Sequence, residues 1–205
     1  MMKRNSMTLY VGRDVHSQRL HIALAEKAIA ADIIQVDENN VDPNLLELNP
    51  DGKLPLLIDR DLVLDIASVM SEYLDERFPH PPLLPVYPVA RAKFRLLIGK
   101  IENEWYPALA LVEEQATQKH IDALMKHIMA LVPLLDDNEF FLSNEFSLVD
   151  CAIAPILWRL SLLKVDLAKY SPRLAKYAKT IFAKDSFQAS LTEQELYAVM
   201  ADEVE

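Results

Sequence analysis

The sequence predicts an α/β domain followed by an all-helical domain, and three observations carry that prediction. Strand-like runs and helical stripes are mixed before residue 79, whereas beyond residue 91 the apolar residues keep helical spacing alone. Between the two lies Pro79-His80-Pro81-Pro82-Leu83-Leu84-Pro85-Val86-Tyr87-Pro88-Val89-Ala90-Arg91, in which five of the ten residues from Pro79 to Pro88 are proline. Each proline fixes φ and lacks an amide donor, so neither a helix nor a central strand passes through. The segment is expected to run extended, near polyproline II, with its carbonyls solvated or offered to a partner. The expected division is therefore 1–78, a linker and display surface at 79–90, and 91–205.

Met7-Thr8-Leu9-Tyr10-Val11 alternates and is bounded by Gly12, which marks a first strand. Ser17 to Ala28 follows as a helix with an apolar cluster at Leu20, Ala23, Leu24 and Ala28. Asp32 to Asp37 is a second strand, and strand, helix and strand at this spacing make a right-handed crossover with parallel pairing. Pro43 to Leu48 is a short helix opening on proline. Leu56–Asp59 and Leu62–Leu64 flank Arg60-Asp61 at hairpin spacing. Ile66 to Phe78 is a helix with Val69, Met70, Tyr73, Leu74 and Phe78 expected on the sheet. The order βαβαββα is the thioredoxin-like arrangement.

In the second part, Phe94, Leu97, Ile98, Ile101, Trp105, Leu109 and Val112 hold helical spacing over several turns. Ile121, Leu124, Met125, Ile128 and Val132 repeat it, so the two stripes predict antiparallel helices. Another helix starts at Ser147, whose hydroxyl can cap it while Asp150 reaches back, with Phe146 as the staple. Two more are expected over Pro172–Lys184 and Thr192–Glu203.

Half of the 205 residues are hydrophobic, a quarter are charged and three are glycine, the composition of a folded, helix-rich protein. A net charge of −10 argues against direct nucleic-acid binding, which needs a basic face, but suits docking on a basic protein surface. The single cysteine, Cys151, excludes an internal disulfide and is expected to be a buried core residue. No apolar run approaches the ~20 residues that span a bilayer, and Met1-Met2-Lys3-Arg4-Asn5-Ser6 lacks a signal-peptide apolar region. The expected location is the cytoplasm. The histidines His16, His21, His80, His120 and His127 are scattered without metal-ligand spacing, so no metal is expected. The acidic tail at Asp202, Glu203 and Glu205 is read as solvated.

Three segments together resemble the glutathione transferase superfamily. Arg19 to Lys27 is similar to that family's first helix; Leu48-Asn49-Pro50-Asp51-Gly52-Lys53-Leu54-Pro55-Leu56-Leu57 is similar to its segment with a cis proline, here Pro55; Phe146-Ser147-Leu148-Val149-Asp150 is similar to its capping box. Within the superfamily, Glu72 to Phe78 running into the Pro79 stretch, Ile101 to Tyr106, Phe141 to Cys151 and Asp185 to Glu193 resemble the RNA polymerase-associated branch, the stringent starvation protein A family. That resemblance implies a two-domain fold, no cofactor, RNA polymerase holoenzyme as partner, and Pro79, His80 and Pro81 as the docking surface, with Tyr87 beside them. It also implies a homodimer, with a heterodimer between paralogues as the open alternative. The stripes from Phe94 to Val112 and Ile121 to Val132 are expected to supply apolar surface for that dimer.

Transferase chemistry is not expected. Activating glutathione takes a hydroxyl or thiol donor after the first strand, where the loop reads Gly12-Arg13-Asp14-Val15-His16-Ser17 and the donor position falls near Asp14. A carboxylate there repels a thiolate, and Ser17 is read as a cap or first-turn residue. The family's Glu-Ser pair for the γ-glutamyl end falls on Ile66 and Ala67, counted back from Tyr73-Leu74, and neither side chain can hydrogen-bond. A glutathione-dependent transferase or peroxidase is the alternative reading.

Overall fold

A computed structural model describes residues 7–37, 43–193 and 195–196. It contains two compact units, which divide between Pro81 and Pro82, inside the proline stretch.

The first unit is built on a four-stranded sheet of order β2-β1-β3-β4. Strand β1 (Thr8–Val11) pairs parallel with β2 (Asp32–Gln35) through the crossover helix α1 (Val15–Glu26), with Leu9 opposite Ile33. After the short helix α2 (Pro43–Leu48), β3 (Leu56–Asp59) returns antiparallel to β1 and forms a hairpin with β4 (Leu62–Leu64). Arg60 takes a positive φ of 59° at the hairpin turn. The Leu54–Pro55 bond that leads into β3 is cis, as the resemblance implied. Helix α3 (Ala67–Arg77) closes the unit, and Leu9, Leu20, Leu24, Leu57, Met70 and Leu74 form the centre of its core. Alternation along β1 puts Leu9 and Val11 inward, while β2, on the sheet edge, is exposed throughout.

Two side chains differ from the sequence expectation. Val69 is 46% exposed, facing away from the sheet that Met70 and Leu74 cover. Ala28 lies beyond the end of α1 at a positive φ of 50° and is exposed. Lys27, one residue earlier, is the one that is buried.

In the second unit, α4 (Pro88–Lys100) opens with Pro88 in its first turn and runs through a π-helical turn, Ile101–Trp105, into α5 (Tyr106–Glu114). The widened turn precedes Pro107, which has no amide to donate back and whose ring crowds the preceding turn. Helix α6 (Gln118–Met129) packs on α5 and leads to a 3₁₀ turn, Val132–Leu135. The stripes read from the sequence are buried here from Phe94 to Val132, so this unit's own core takes up the surface expected to serve a dimer. Helix α7 (Leu148–Leu162) is buried nearly all round and includes Cys151 at 1% exposure. Helices α8 (Leu167–Tyr170) and α9 (Pro172–Phe182) complete the unit.

Helix α10 (Asp185–Gln188) packs on α1 and belongs to the first unit. Ser186 Oγ donates to Glu26 Oε2 at 2.6 Å, and Gln18 Nε2 donates to Ser190 Oγ at 3.4 Å. Thr192 and Glu195 then cap each other reciprocally, at the residue where a last helix was expected to start. The rest of that expected helix and the acidic tail lie outside the described residues.

Candidate functional site

The carbonyls of the proline stretch accept from Lys27 and Leu148, outside it, and from Arg91 at its own end. Prolines contribute no N–H, so the carbonyls of this segment must find partners elsewhere or face water. In the first unit, Lys27 Nζ donates to the Pro81 carbonyl at 2.6 Å. In the second, the Leu148 amide donates to the Leu83 carbonyl at 2.9 Å and Arg91 Nε to the Pro85 carbonyl at 2.9 Å. Leu83 and Leu84 are 2% and 3% exposed. The backbone is thus pinned at Pro81, Leu83 and Pro85, and while Leu83 and Leu84 turn inward, the side chains from Pro79 to Pro82 face water. Pro79, His80 and Pro81 are all exposed on one turn of the first unit, and the His80–Pro81 bond is cis.

Tyr87 belongs to the second unit, where it is 79% exposed as the residue before α4, between Val86 at 77% and, past Pro88, Val89 at 74%. Next to these, a cleft of about 190 Å³ is lined by Leu83, Leu84, Pro85, Phe94, Ser143 and Phe146. The structure groups Pro79, His80 and Pro81 on one turn and places Tyr87 in the apolar cluster of the other unit.

Lys27 was not singled out from the sequence, although a signal was there. It continues the α1 stripe, three residues after Leu24 and seven after Leu20, where an apolar residue would ordinarily stand. Its side chain is 0% exposed and also donates to Asp75 Oδ1 at 2.8 Å, whose own side chain is 4% exposed. Asp75 in turn lies on α3.

The loop after β1 has a structural assignment. Asp14 caps α1, with Oδ1 accepting from the amides of His16 at 2.8 Å and Ser17 at 3.0 Å. Ser17 is a buried first-turn residue whose hydroxyl donates to Asp14 Oδ2 at 2.6 Å and accepts from the Gly12 amide at 2.8 Å. Its hydroxyl is thereby committed to the cap. Ile66 is the N-cap of α3 with no side-chain capping bond, and it is 57% exposed.

At α7 the expected capping box is present. Ser147 Oγ and its amide both donate to Asp150 Oδ2, at 2.7 and 2.9 Å. Phe141 N and Tyr177 Oη donate to Oδ1, at 3.2 and 2.7 Å. Burial pushes the Asp150 carboxyl up to about 6 against the pull of these four donors. Burial and the adjacent carboxylate push the Tyr177 hydroxyl well above its ordinary range.

Among the described residues no group of three or more His, Cys, Asp or Glu side chains is placed to hold a metal ion. His127 instead contacts Glu104 at 3.2 Å, and His120 Nδ1 lies 3.0 Å from the Gln115 carbonyl. No described helix is long and apolar enough to cross a membrane.

Residues 10–82 match the family profile described as glutathione S-transferase, N-terminal domain, and residues 103–180 the one described as glutathione S-transferase, C-terminal domain. A stringent starvation protein A homolog of Coxiella burnetii is 46% identical over 200 residues, covering 95% of this chain and 96% of that one. A homolog of the same name from Pasteurella multocida is 47% identical over 194 residues, covering 92% of each. Among solved structures, glutathione transferase Omega 1C from Trametes versicolor superposes with a TM-score of 0.82 at 28% identity, over 96% of this chain and 94% of that one. Omega 3C from the same fungus gives 0.82 at 26% identity, over 92% and 90%.

Proposed function

The chain belongs to the stringent starvation protein A family of the glutathione S-transferase superfamily, and on that premise we propose that it is a stress-related, non-enzymatic regulator that docks on RNA polymerase through Pro79, His80 and Pro81. The observation that supports docking at this place is a solvent-facing turn whose backbone is tied down while its side chains are free to touch a partner. A pre-ordered turn loses little conformational freedom on binding, so contact energy goes into affinity. Tyr87, with Val86 and Val89, adds exposed apolar and aromatic area of the kind that anchors protein interfaces. The net charge of −10 favours encounter with a basic face of the polymerase or of a sigma factor and disfavours DNA itself.

The likeness to Omega-class transferases favours a second reading, a glutathione-dependent enzyme. Two things weigh against it: Asp14 and Ser17 are spent on the α1 cap, and the resemblance puts the glutathione-holding pair at Ile66 and Ala67, whose side chains cannot hydrogen-bond. The two readings separate in one preparation. Affinity-tagged protein from its own cell should retain polymerase subunits and pass through immobilised glutathione; retention on glutathione with no polymerase would reverse the assignment.

A further inference from the structure

Lys27 occupies a place where the fold has no need of a charge. It is the C-cap of α1, its amide donating to the Ala23 carbonyl, and the chain turns away at once through Ala28 at positive φ while Ile29 N closes on Leu24 O. This sends the lysine stem inward along the stripe of Leu20 and Leu24. The ammonium ends between Asp75 on α3 and the carbonyl of Pro81, with no exposed surface left. A cation at a helix C-terminus is favourably placed, but removing a lysine and a carboxylate from water is costly, and a well-packed apolar pair is often at least as stable. The ion pair is thus poorly accounted for by stability. What an apolar pair could not supply is a donor for Pro81, in a segment whose prolines at 79, 81 and 82 lack amides of their own.

We infer that Lys27, oriented by Asp75, is the positioning residue of the Pro79–Pro81 turn, fixing the backbone so that His80 is presented to the partner in one orientation. The inference rests on the docking reading above. It makes that surface a composite: the side chains that touch the partner come from the turn, and their orientation comes from two helices of the first unit, α1 ending at Lys27 and α3 carrying Asp75.

The test compares Lys27→Met/Asp75→Leu with wild type and with a variant in which Pro79, His80 and Pro81 are all alanine. Three quantities are read: melting temperature, affinity for purified RNA polymerase holoenzyme, and the His80 imidazole resonance by NMR. The double variant is expected to melt within a few degrees of wild type, to show a shifted or broadened His80 signal, and to bind holoenzyme at least tenfold more weakly. If it binds within twofold of wild type while the alanine variant does not bind, the positioning role is wrong and the docking surface stands. If the alanine variant binds as wild type does, the docking reading fails, and the His80 signal then decides for Lys27: unchanged in the double variant, it overturns positioning, and moved, it upholds it. Should the double variant not fold, Lys27→Gln serves in its place, because it takes the ammonium away from the Pro81 carbonyl while keeping a polar side chain beside Asp75. It is expected to lose affinity at a near-normal melting temperature, and full affinity would overturn the inference.

Discussion

Tyr177 donates its hydroxyl to Asp150 at 2.7 Å, joining α9 to the first turn of α7 beneath the surface of the helical unit. Both residues are fully enclosed, and Phe141 completes the contact edge-to-face with the Tyr177 ring at 5.0 Å between centroids. The capping box read in the sequence is thus one half of a four-donor shell whose other half comes from Phe141 and Tyr177.

Tyr177→Phe should lower stability without disturbing the fold. The ring contact with Phe141 survives, and only a hydrogen bond to a buried carboxylate is lost, about 1.5–3 kcal/mol. For a chain of this length each kcal/mol is worth about 2–4 °C in melting temperature. A thermal melt should show a drop on the order of 3–12 °C; an unchanged melting point would mean that Tyr177 does not support the cap.

The same carboxylate sets a pH dependence. Its folded value of about 6 lies above the ordinary 3.8, so the native state holds this proton more tightly than the unfolded chain does. Its contribution to stability is therefore fully present below about pH 4, declines through pH 4–6 and is lost above about pH 6, a change of roughly 3 kcal/mol at 1.36 kcal/mol per unit. Asparagine cannot titrate, so the stability difference between wild type and Asp150→Asn should shrink as pH rises from 4 to 7. Denaturant midpoints across that range measure it, and parallel curves would contradict it.

Glutathione should not bind. On the register by which the resemblance puts the γ-glutamyl contacts at Ile66 and Ala67, two charge-assisted contacts would be lost, each worth about 1.5–3 kcal/mol, which together would weaken binding by orders of magnitude. Calorimetry at millimolar glutathione should give no saturable heat, and a conjugation assay no turnover; either signal would restore the transferase reading.

Association is expected to be a two-fold homodimer. Because the long helical stripes are consumed by the second unit's own core, the surface for it must lie elsewhere. The first unit leaves Ile66 and Val69 exposed at 57% and 46%, and the second leaves Leu96 and Leu111 at 75% and 51%. Sedimentation at micromolar concentration should show a species of twice the chain mass, and Val69→Asp should shift it towards the monomer. A single monomeric boundary for wild type would leave only association with a paralogue.

Most of the fold was legible because it is local. Period-two runs and hairpin spacing place the four strands among the described residues, and Ser147 with Asp150 announces its helix by capping chemistry alone. The misses share a cause. Val69 reads as apolar and therefore inward, but only the sheet's placement shows that Met70 and Leu74 already cover it. Pro107 gives notice of a helix defect, yet the π turn before it depends on the surrounding bundle keeping the helix continuous. At the candidate site, the prolines declare a stiff exposed turn. The Lys27 donor that holds the turn lies 54 residues from Pro81, and no local pattern links the two.

Docking at Pro79, His80 and Pro81 is measured most directly by a binding titration of RNA polymerase holoenzyme against wild type and the triple alanine variant, with a thermal melt of each. An exposed turn buries little, so its replacement should leave the melting temperature nearly unchanged. At an interface, truncations of this kind cost about 2 kcal/mol or more, so affinity should fall by a factor of about 30 or beyond. His80→Ala alone should weaken binding less, since the prolines still shape the backbone. A triple variant that melts early yet binds holoenzyme as tightly as wild type would contradict the account and leave the segment a linker only.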